Sequence, residues 1–291
     1  MYNPIGVIAD GFQKDLWEGL RLAGKLNVQS VQLYAVSGEM DPATITSDTK
    51  KRLKEELEAN NLTISALCGD LEGHGFQDRS VNAEKVDKSK RILELAVELG
   101  SPIVTTHIGI VPEQKNEIYH SMYDACEALG DFATSLQAHF AIETGPEPAS
   151  RLKAFLDQLP TNGVSVNFDP ANMVMVTGDD PVQGVYTLKD YIVHTHVKDG
   201  KKLGQVDPRD VYGALGYKPM SHDAIADMVE KGTGFRETSL GQGEVPFDQY
   251  FKALEDIGYV GHLIIEREAE TNAFENIKQA VEYLQARQKV R

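Results

Sequence analysis

The chain has 291 residues, 41% of them hydrophobic and 25% charged, with a formal net charge of −15. That length suits one α/β barrel of about 250 residues, or two smaller domains. The acidic balance excludes a generic phosphate-backbone binder, whose affinity comes from Lys and Arg displacing counterions, so no nucleic-acid partner is expected.

The run Ile5–Ile8 predicts a first strand, and the helix after it carries Trp17, read as a packing residue. Ser30–Tyr34 predicts a second strand. Thr46–Asn60 predicts a helix, with Leu53 and Leu57 one turn apart and charge elsewhere. Thr63–Cys68 is the third strand. In Ser80–Leu99 the residues Ile92, Leu93, Leu95, Ala96 and Leu99 lie near one stripe, and Gly100 with Pro102 stops that helix. Ile103–His107 and His139–Glu143 are the fourth and fifth strands, separated by a helix over Glu117–Leu136. A helix over Ala149–Leu159 leads to the sixth strand, Val164–Phe168. Asp180-Pro181 then reads as an N-cap followed by proline at the first helical position. Tyr191–Val197 is the seventh strand. Gly200–Glu244 breaks the rhythm. It is long and rich in Gly, Lys and Asp, with a short helix expected at Ser221–Glu230, and it follows a strand, which makes it a lid candidate. Phe247–Ile257, stopped by Gly258, precedes the eighth strand, Leu263–Glu266, and Phe274–Arg287 closes the chain.

Strands alternating with helices make parallel βαβ units, and eight of them close a TIM barrel. The expected fold is therefore a single-domain (β/α)8 barrel over residues 1–291, with a long insertion at 200–244. An open doubly wound sheet is disfavoured, because no GxGxxG follows the first strand and no Walker A motif is present. No apolar run reaches the roughly 18 residues of a membrane span, so no membrane partner is expected. MYNPIGVIADGF lacks the basic and apolar regions of a signal peptide, so the expected location is cytoplasmic. Cys68 and Cys126 form no CxxC pair and are expected to be reduced thiols.

The chemistry-bearing residues stand at strand ends, where the loops of a barrel enzyme converge. Glu143 ends the fifth strand, Asp169 follows the sixth, His196 lies on the seventh and Glu266 ends the eighth. Each alone is as readily a cap or a salt-bridge partner. Together they would place three carboxylates and an imidazole in one mouth, and buried unpaired carboxylates are costly. One divalent cation resolves the conflict. The oxygen-rich set suits Mn²⁺, Mg²⁺ or Co²⁺, with Zn²⁺ as a further candidate.

Several motifs occur in order through the second half: IETGPE at Ile142, NFDPAN at Asn167, GDDP at Gly178, HTHVKD at His194, GQGEVPF at Gly241 and IGYVGHLIIERE at Ile257. In this the sequence resembles the xylose isomerase-like TIM-barrel superfamily, the sugar-phosphate isomerase/epimerase group. The first half matches it only through THIG at Thr106 and the strand rhythm. The resemblance implies that Glu143, Asp169, His196 and Glu266 hold the metal, with Glu143 and Glu266 also exchanging the substrate proton. A small carbohydrate would be the substrate, turned over through an enediolate by an isomerase or epimerase.

Two departures bear on the substrate. Asn172 stands where related ketose 3-epimerases carry a histidine, and Lys198, Lys201 and Lys202 are the nearest cations to an unmatched arginine. The long insertion is similar to that of inosose dehydratases, so a keto-inositol or keto-sugar lyase is the alternative. An abasic-site endonuclease would need more histidines. A non-catalytic sugar-binding barrel would not need a pair of proton carriers. His107, Asn172, Lys198 and His74 are expected to contact substrate. His194, Asp199, Glu147 and Glu268 are expected to orient the ligands from behind. Lys198 and Asp199 could equally form a structural ion pair. The sequence leaves a homo-oligomer open.

Overall fold

The computed structural model describes residues 3–71, 73–218, 231–268 and 271–290. The short apolar runs form strands with buried faces, and the amphipathic stretches form helices. The barrel strands are β1 (Ile5–Ile8), β2 (Ser30–Tyr34), β3 (Thr63–Cys68), β4 (Ile103–Thr106), β5 (His139–Glu143), β6 (Val164–Phe168), β7 (Ile192–Val197) and, after two strands outside the barrel, Leu263–Ile265. Those two are β8 (Asp199–Lys202) and β9 (Phe235–Thr238), which makes the last strand β10. All neighbouring barrel strands are parallel, and β10 lies between β7 and β1, closing the barrel. Ile5 pairs with Leu263 and Val7 with Ile265, the closure expected from the sequence.

The helices are α1 (Leu16–Lys25), α2 (Ser47–Ala59), α3 (Arg79–Glu98), α4 (Glu117–Ser135) and α5 (Ala149–Leu156). They continue with the single turn α6 (Pro170–Asn172), α7 (Pro181–Leu188), α8 (Pro208–Tyr212), α9 (Phe247–Asp256) and α10 (Ala273–Val290). Local chemistry sets their starts. The side chains of Asp15, Thr46, Asp78, Asn116 and Asp180 each accept a backbone N–H of the first turn, offsetting donors that a helix leaves unpaired. Gly100 and Gly258 follow α3 and α9 with positive φ, a conformation that glycine adopts without a Cβ clash. Trp17 is buried, with the Arg52 guanidinium 3.7 Å over its ring. Cys68 and Cys126 are both buried and free.

Several boundaries differ from expectation by one to three residues. β4 stops at Thr106 and β10 at Ile265, so His107 and Glu266 stand one residue beyond their strands. The helix α5 ends at Leu156 rather than Leu159, the chain turning there ahead of Pro160. Within the insertion, β8 and β9 pair antiparallel, Asp199 with Thr238 and Lys202 with Phe235, and α8 lies between them in sequence. The helix expected at Ser221–Glu230 falls outside the described residues. Among the described residues no helix is long and apolar enough to cross a membrane.

Candidate metal centre at the barrel mouth

Strand alternation turns His194 and His196 to the same face of β7, into the barrel. At the C-terminal end, Glu143, Asp169, His196 and Glu266 meet, with one ligand atom from each within 4.8 Å of the others. His196 Nδ1 lies 2.9 Å from Glu266 Oε2, 3.6 Å from Glu143 Oε2 and 3.6 Å from Asp169 Oδ2. Its Nε2 is 3.0 Å from Gln32 Oε1. An amide oxygen only accepts, so in the neutral ring the proton belongs on Nε2 and the Nδ1 lone pair faces the carboxylates.

The donor set fits a divalent cation. Asp169 Oδ2 and Glu266 Oε2 are buried with no hydrogen-bond partner, a state that is costly for charged oxygen. Protein groups alone hold the charge awkwardly. Burial pushes the Asp169 carboxyl up to about 6. Burial opposes charge on the His196 ring, but Glu143 and Glu266 outweigh it and raise its pKa well above the usual value. For Glu266, burial is outweighed by Lys198 and His196, which hold the carboxyl well below its usual range. A cation would satisfy the orphaned oxygens and replace the proton that the crowding draws onto His196.

Amides orient the cluster. Asn167 Nδ2 donates to Glu143 Oε2 at 3.1 Å, while its Oδ1 is 2.8 Å from His194 Nδ1. Asn172 Nδ2 donates to Glu143 Oε1 at 2.9 Å. Asp169 Oδ1 accepts the Asn172 N–H, so the same carboxylate caps α6 and leaves its other oxygen to the cluster. Gln32 and Asn167 were not singled out from the sequence. The available signal was a polar amide at an inward position of an otherwise apolar strand.

The cluster opens on a cavity of about 270 Å³ lined by His107, Glu143, Asn172, Lys198, Tyr212 and Glu266, among others. Lys198 is buried, its Nζ 3.2 Å from Glu266 Oε1, 3.9 Å from Glu237 and 4.0 Å from Glu268. His107 Nδ1 is 2.9 Å from Asp70 Oδ2, and its Nε2 points to Glu143 Oε1 at 3.7 Å. Burial disfavours charge on that ring, yet Glu143 and Asp70 prevail and raise its pKa to about 9. Tyr212, carried in by the insertion, packs its ring 5.3 Å from that of His107. Tyr212, Glu237 and Asp70 had no sequence signal, because long-range folding alone brings them to the mouth.

Other expected residues take different places. His74 does not line this cavity. It abuts Gly213, where an added Cβ would fall 2.9 Å from Nδ1. Asp199 neither pairs with Lys198 nor backs a ligand. Its carboxylate accepts the backbone N–H groups of Gly200, Gly241, Gly243 and Val245, because β8 turns it under the glycine-rich segment. Glu147 accepts the Val111 N–H at 2.8 Å and thus fixes the loop after β4, not a ligand. The Glu268 side chain lies 4.0 Å from Lys198 Nζ and is largely exposed. His194 Nδ1 meets Asn167 Oδ1, and the same amide donates through its Nδ2 to Glu143.

Residues 20–287 match the family described as "Xylose isomerase-like TIM barrel". The chain belongs to this family. The match runs through the first half as well, where the sequence motifs were faint. An inosose dehydratase of Lacticaseibacillus casei is 26% identical over 182 residues, covering 60% of this chain and 56% of that protein. The chain thus spans little more than half the length of that relative. A xylose isomerase domain protein from Planctomyces limnophilus has a similar structure, with a TM-score of 0.77 and 25% identity over 98% of this chain and 96% of that one. A D-tagatose 3-epimerase-like protein superposes with a TM-score of 0.73 over 99% of this chain and 100% of its own, at 18% identity, a likeness of fold alone.

Proposed function

We propose that the protein is a divalent-metal-dependent enzyme that removes the proton beside the carbonyl of a small polyhydroxy compound. The observation that carries this is the convergence of Glu143 and Glu266 with Asp169 and His196 beside a cavity of small-molecule size. These four residues would hold the ion. When bound, it supplies Lewis-acid stabilisation of negative charge developing on substrate oxygens. The glutamates are the proton carriers. Each has an oxygen turned from the His196 ring, Oε1 of Glu143 toward Asn172 and Oε1 of Glu266 toward Lys198. One oxygen can serve as ligand while the other faces a substrate carbon.

Return of the proton to the opposite face gives an epimer, and delivery to the next carbon gives an isomer. Loss of the neighbouring hydroxyl gives dehydration. Three observations favour dehydration over the isomerase or epimerase outcome. The glutamates are not equivalent, because a buried ammonium sits on Glu266 and a neutral amide on Glu143. Lys198 and His107 also line the mouth, where each could donate to a departing oxygen. One relative in sequence is an inosose dehydratase.

The arm between β7 and α9 belongs to the same proposal as a cover that keeps water from the carbanion. Its Tyr212 lies against His107, and a Cβ on Gly145 would fall 2.5 Å from the Tyr212 hydroxyl.

The test is a panel of ketoses and keto-inositols given to protein dialysed and then supplied with Mg²⁺, Mn²⁺ or Co²⁺, in deuterated water. Deuterium entering the substrate with mass otherwise conserved identifies an epimerase or isomerase. Loss of one water identifies the lyase. Elemental analysis should find about one ion per chain. Neither exchange nor mass change across the panel, or a protein that takes up no ion, refutes the proposal.

A further inference from the structure

Glu237 is a carboxylate of the arm that reaches back to the barrel. It lies on β9, opposite Gly200 of β8, and it lines the cavity at the cluster. Its two oxygens have different partners. Oε1 accepts the Glu268 N–H at 3.0 Å and an N–H of the Arg267 guanidinium. Oε2 faces the Lys198 ammonium at 3.9 Å. Lys198 stands two residues after His196, and Arg267 follows Glu266 directly. One side chain from the arm thus bridges the chain beyond β7 and β10, which are neighbours in the barrel.

The strand pair that carries Glu237 is tied down at its base. Asp199 gathers the backbone N–H groups of Gly241, Gly243 and Val245. An added Cβ on Gly200 would fall 2.2 Å from Met175 Sδ, so β8 packs directly on the turn after α6. Lys202 Nζ donates to Val176 O at 3.0 Å.

Three carboxylates face the Lys198 ammonium, Glu266 at 3.2 Å, Glu237 at 3.9 Å and Glu268 at 4.0 Å. The last two are almost equally far, but the Glu237 side chain is 13% exposed and that of Glu268 is 73% exposed. Water screens the exposed carboxylate, so the buried ammonium is in effect shared between Glu266 and Glu237. Glu266 turns its other oxygen, Oε2, to the cluster, where it is buried without a hydrogen-bond partner. An ammonium given wholly to Glu266 would draw charge from that oxygen and repel a cation beside it. Glu237 offsets part of that positive charge.

We infer that Glu237 is a positioning residue that holds Lys198 between two carboxylates and so leaves Glu266 able to bind a divalent ion. The arm then helps to build the metal centre as well as covering it. This rests on the reading of Glu266 as a ligand.

The test is titration with Mn²⁺ followed by electron paramagnetic resonance. Burial pushes the Glu237 carboxyl up to about 7, so the titration is run at about pH 8, where the group is ionised. Glu237→Gln keeps an acceptor for Arg267 and the Glu268 N–H and removes the charge that faces Lys198, so its Tm should be nearly unchanged. Its Mn²⁺ affinity should fall about tenfold, the lower end of what a partner behind a ligand contributes. Glu268→Gln, at almost the same distance but in water, should change the affinity by about twofold or less. In a Lys198→Met background, Glu237→Gln should cost about threefold or less, because the ammonium it acts through is gone. A merely structural role for Glu237 would cost the same in both backgrounds. Unchanged affinity in Glu237→Gln, or a loss of equal size with and without Lys198, overturns the inference and leaves the metal reading standing. A chain that takes up no Mn²⁺ in any form defeats both.

Discussion

Asp199→Asn separates a residue that builds the mouth from one that tunes the metal. Asp199 Oδ2 accepts Gly241 N–H and Gly243 N–H, each at 2.8 Å, and Oδ1 accepts Gly200 N–H at 2.9 Å and Val245 N–H at 3.2 Å. An asparagine has the same shape but one acceptor oxygen. Whichever way it turns, its NH₂ faces one pair of amides, which lose their partner and meet a second donor. Hydrogen bonds to a charged group contribute about 1.5–3 kcal/mol each, and losses within one network are not additive. The expected cost is about 3–5 kcal/mol. For a chain of this size that corresponds to a fall of about 5–8 °C in Tm. Thermal and urea unfolding measure it, and limited proteolysis should show earlier cutting near Gly241–Val245. Metal affinity of the folded fraction should stay within a few fold of the unmodified chain. The reasoning is refuted by an unchanged Tm together with a 10–100-fold loss of metal affinity, the signature of a residue behind a ligand.

Three further outcomes are expected. Glu143→Gln and Glu266→Gln should each lower kcat by about 100-fold or more, measured on whichever substrate the panel identifies, and full activity in either removes that residue from proton transfer. Glu147 is buried, and desolvation raises its carboxyl from 4.5 to about 7. A raised acid destabilises the fold above about pH 7, where both states are ionised, and the penalty fades as pH falls toward 4.5, where both are protonated. Glu147→Gln keeps an acceptor for Val111, so it should be more stable than the unmodified chain at about pH 8 by roughly 2–3 kcal/mol, with the gap closing toward pH 4.5. Unfolding curves across that range check it, and a gap that does not change with pH contradicts the role of burial. Gly145 has φ +132, and an added Cβ would meet Tyr212 Oη and Asn172 Cβ, each at 2.5 Å. Gly145→Ala should therefore cost about 1–3 kcal/mol and displace the arm from the mouth, read as a lower Tm and a raised KM.

The barrel was legible in the chain because its signals are local. β-branched runs such as Val164–Phe168, caps such as Asp180 before Pro181, and stops such as Gly258 act within a few residues. The number of strands then implied closure. The four cluster residues were legible for the same reason, since a polar residue at the end of a buried strand conflicts with its surroundings unless something pairs with it. What sequence could not assign was the direction of side chains held by distant partners. Asp199 stands next to Lys198 in the chain, yet its partners are some forty residues onward, at Gly241 and Gly243. Lys198 instead meets Glu266 and Glu237. Tyr212 and Glu237 reach the mouth only because the arm folds back, and Gln32 meets His196 only because the barrel closes. Local propensity acts along the backbone and is written in the order of residues. The charge balance of the mouth, and which donors remain for a ligand, come from contacts between segments far apart in sequence, so only the tertiary structure decided them.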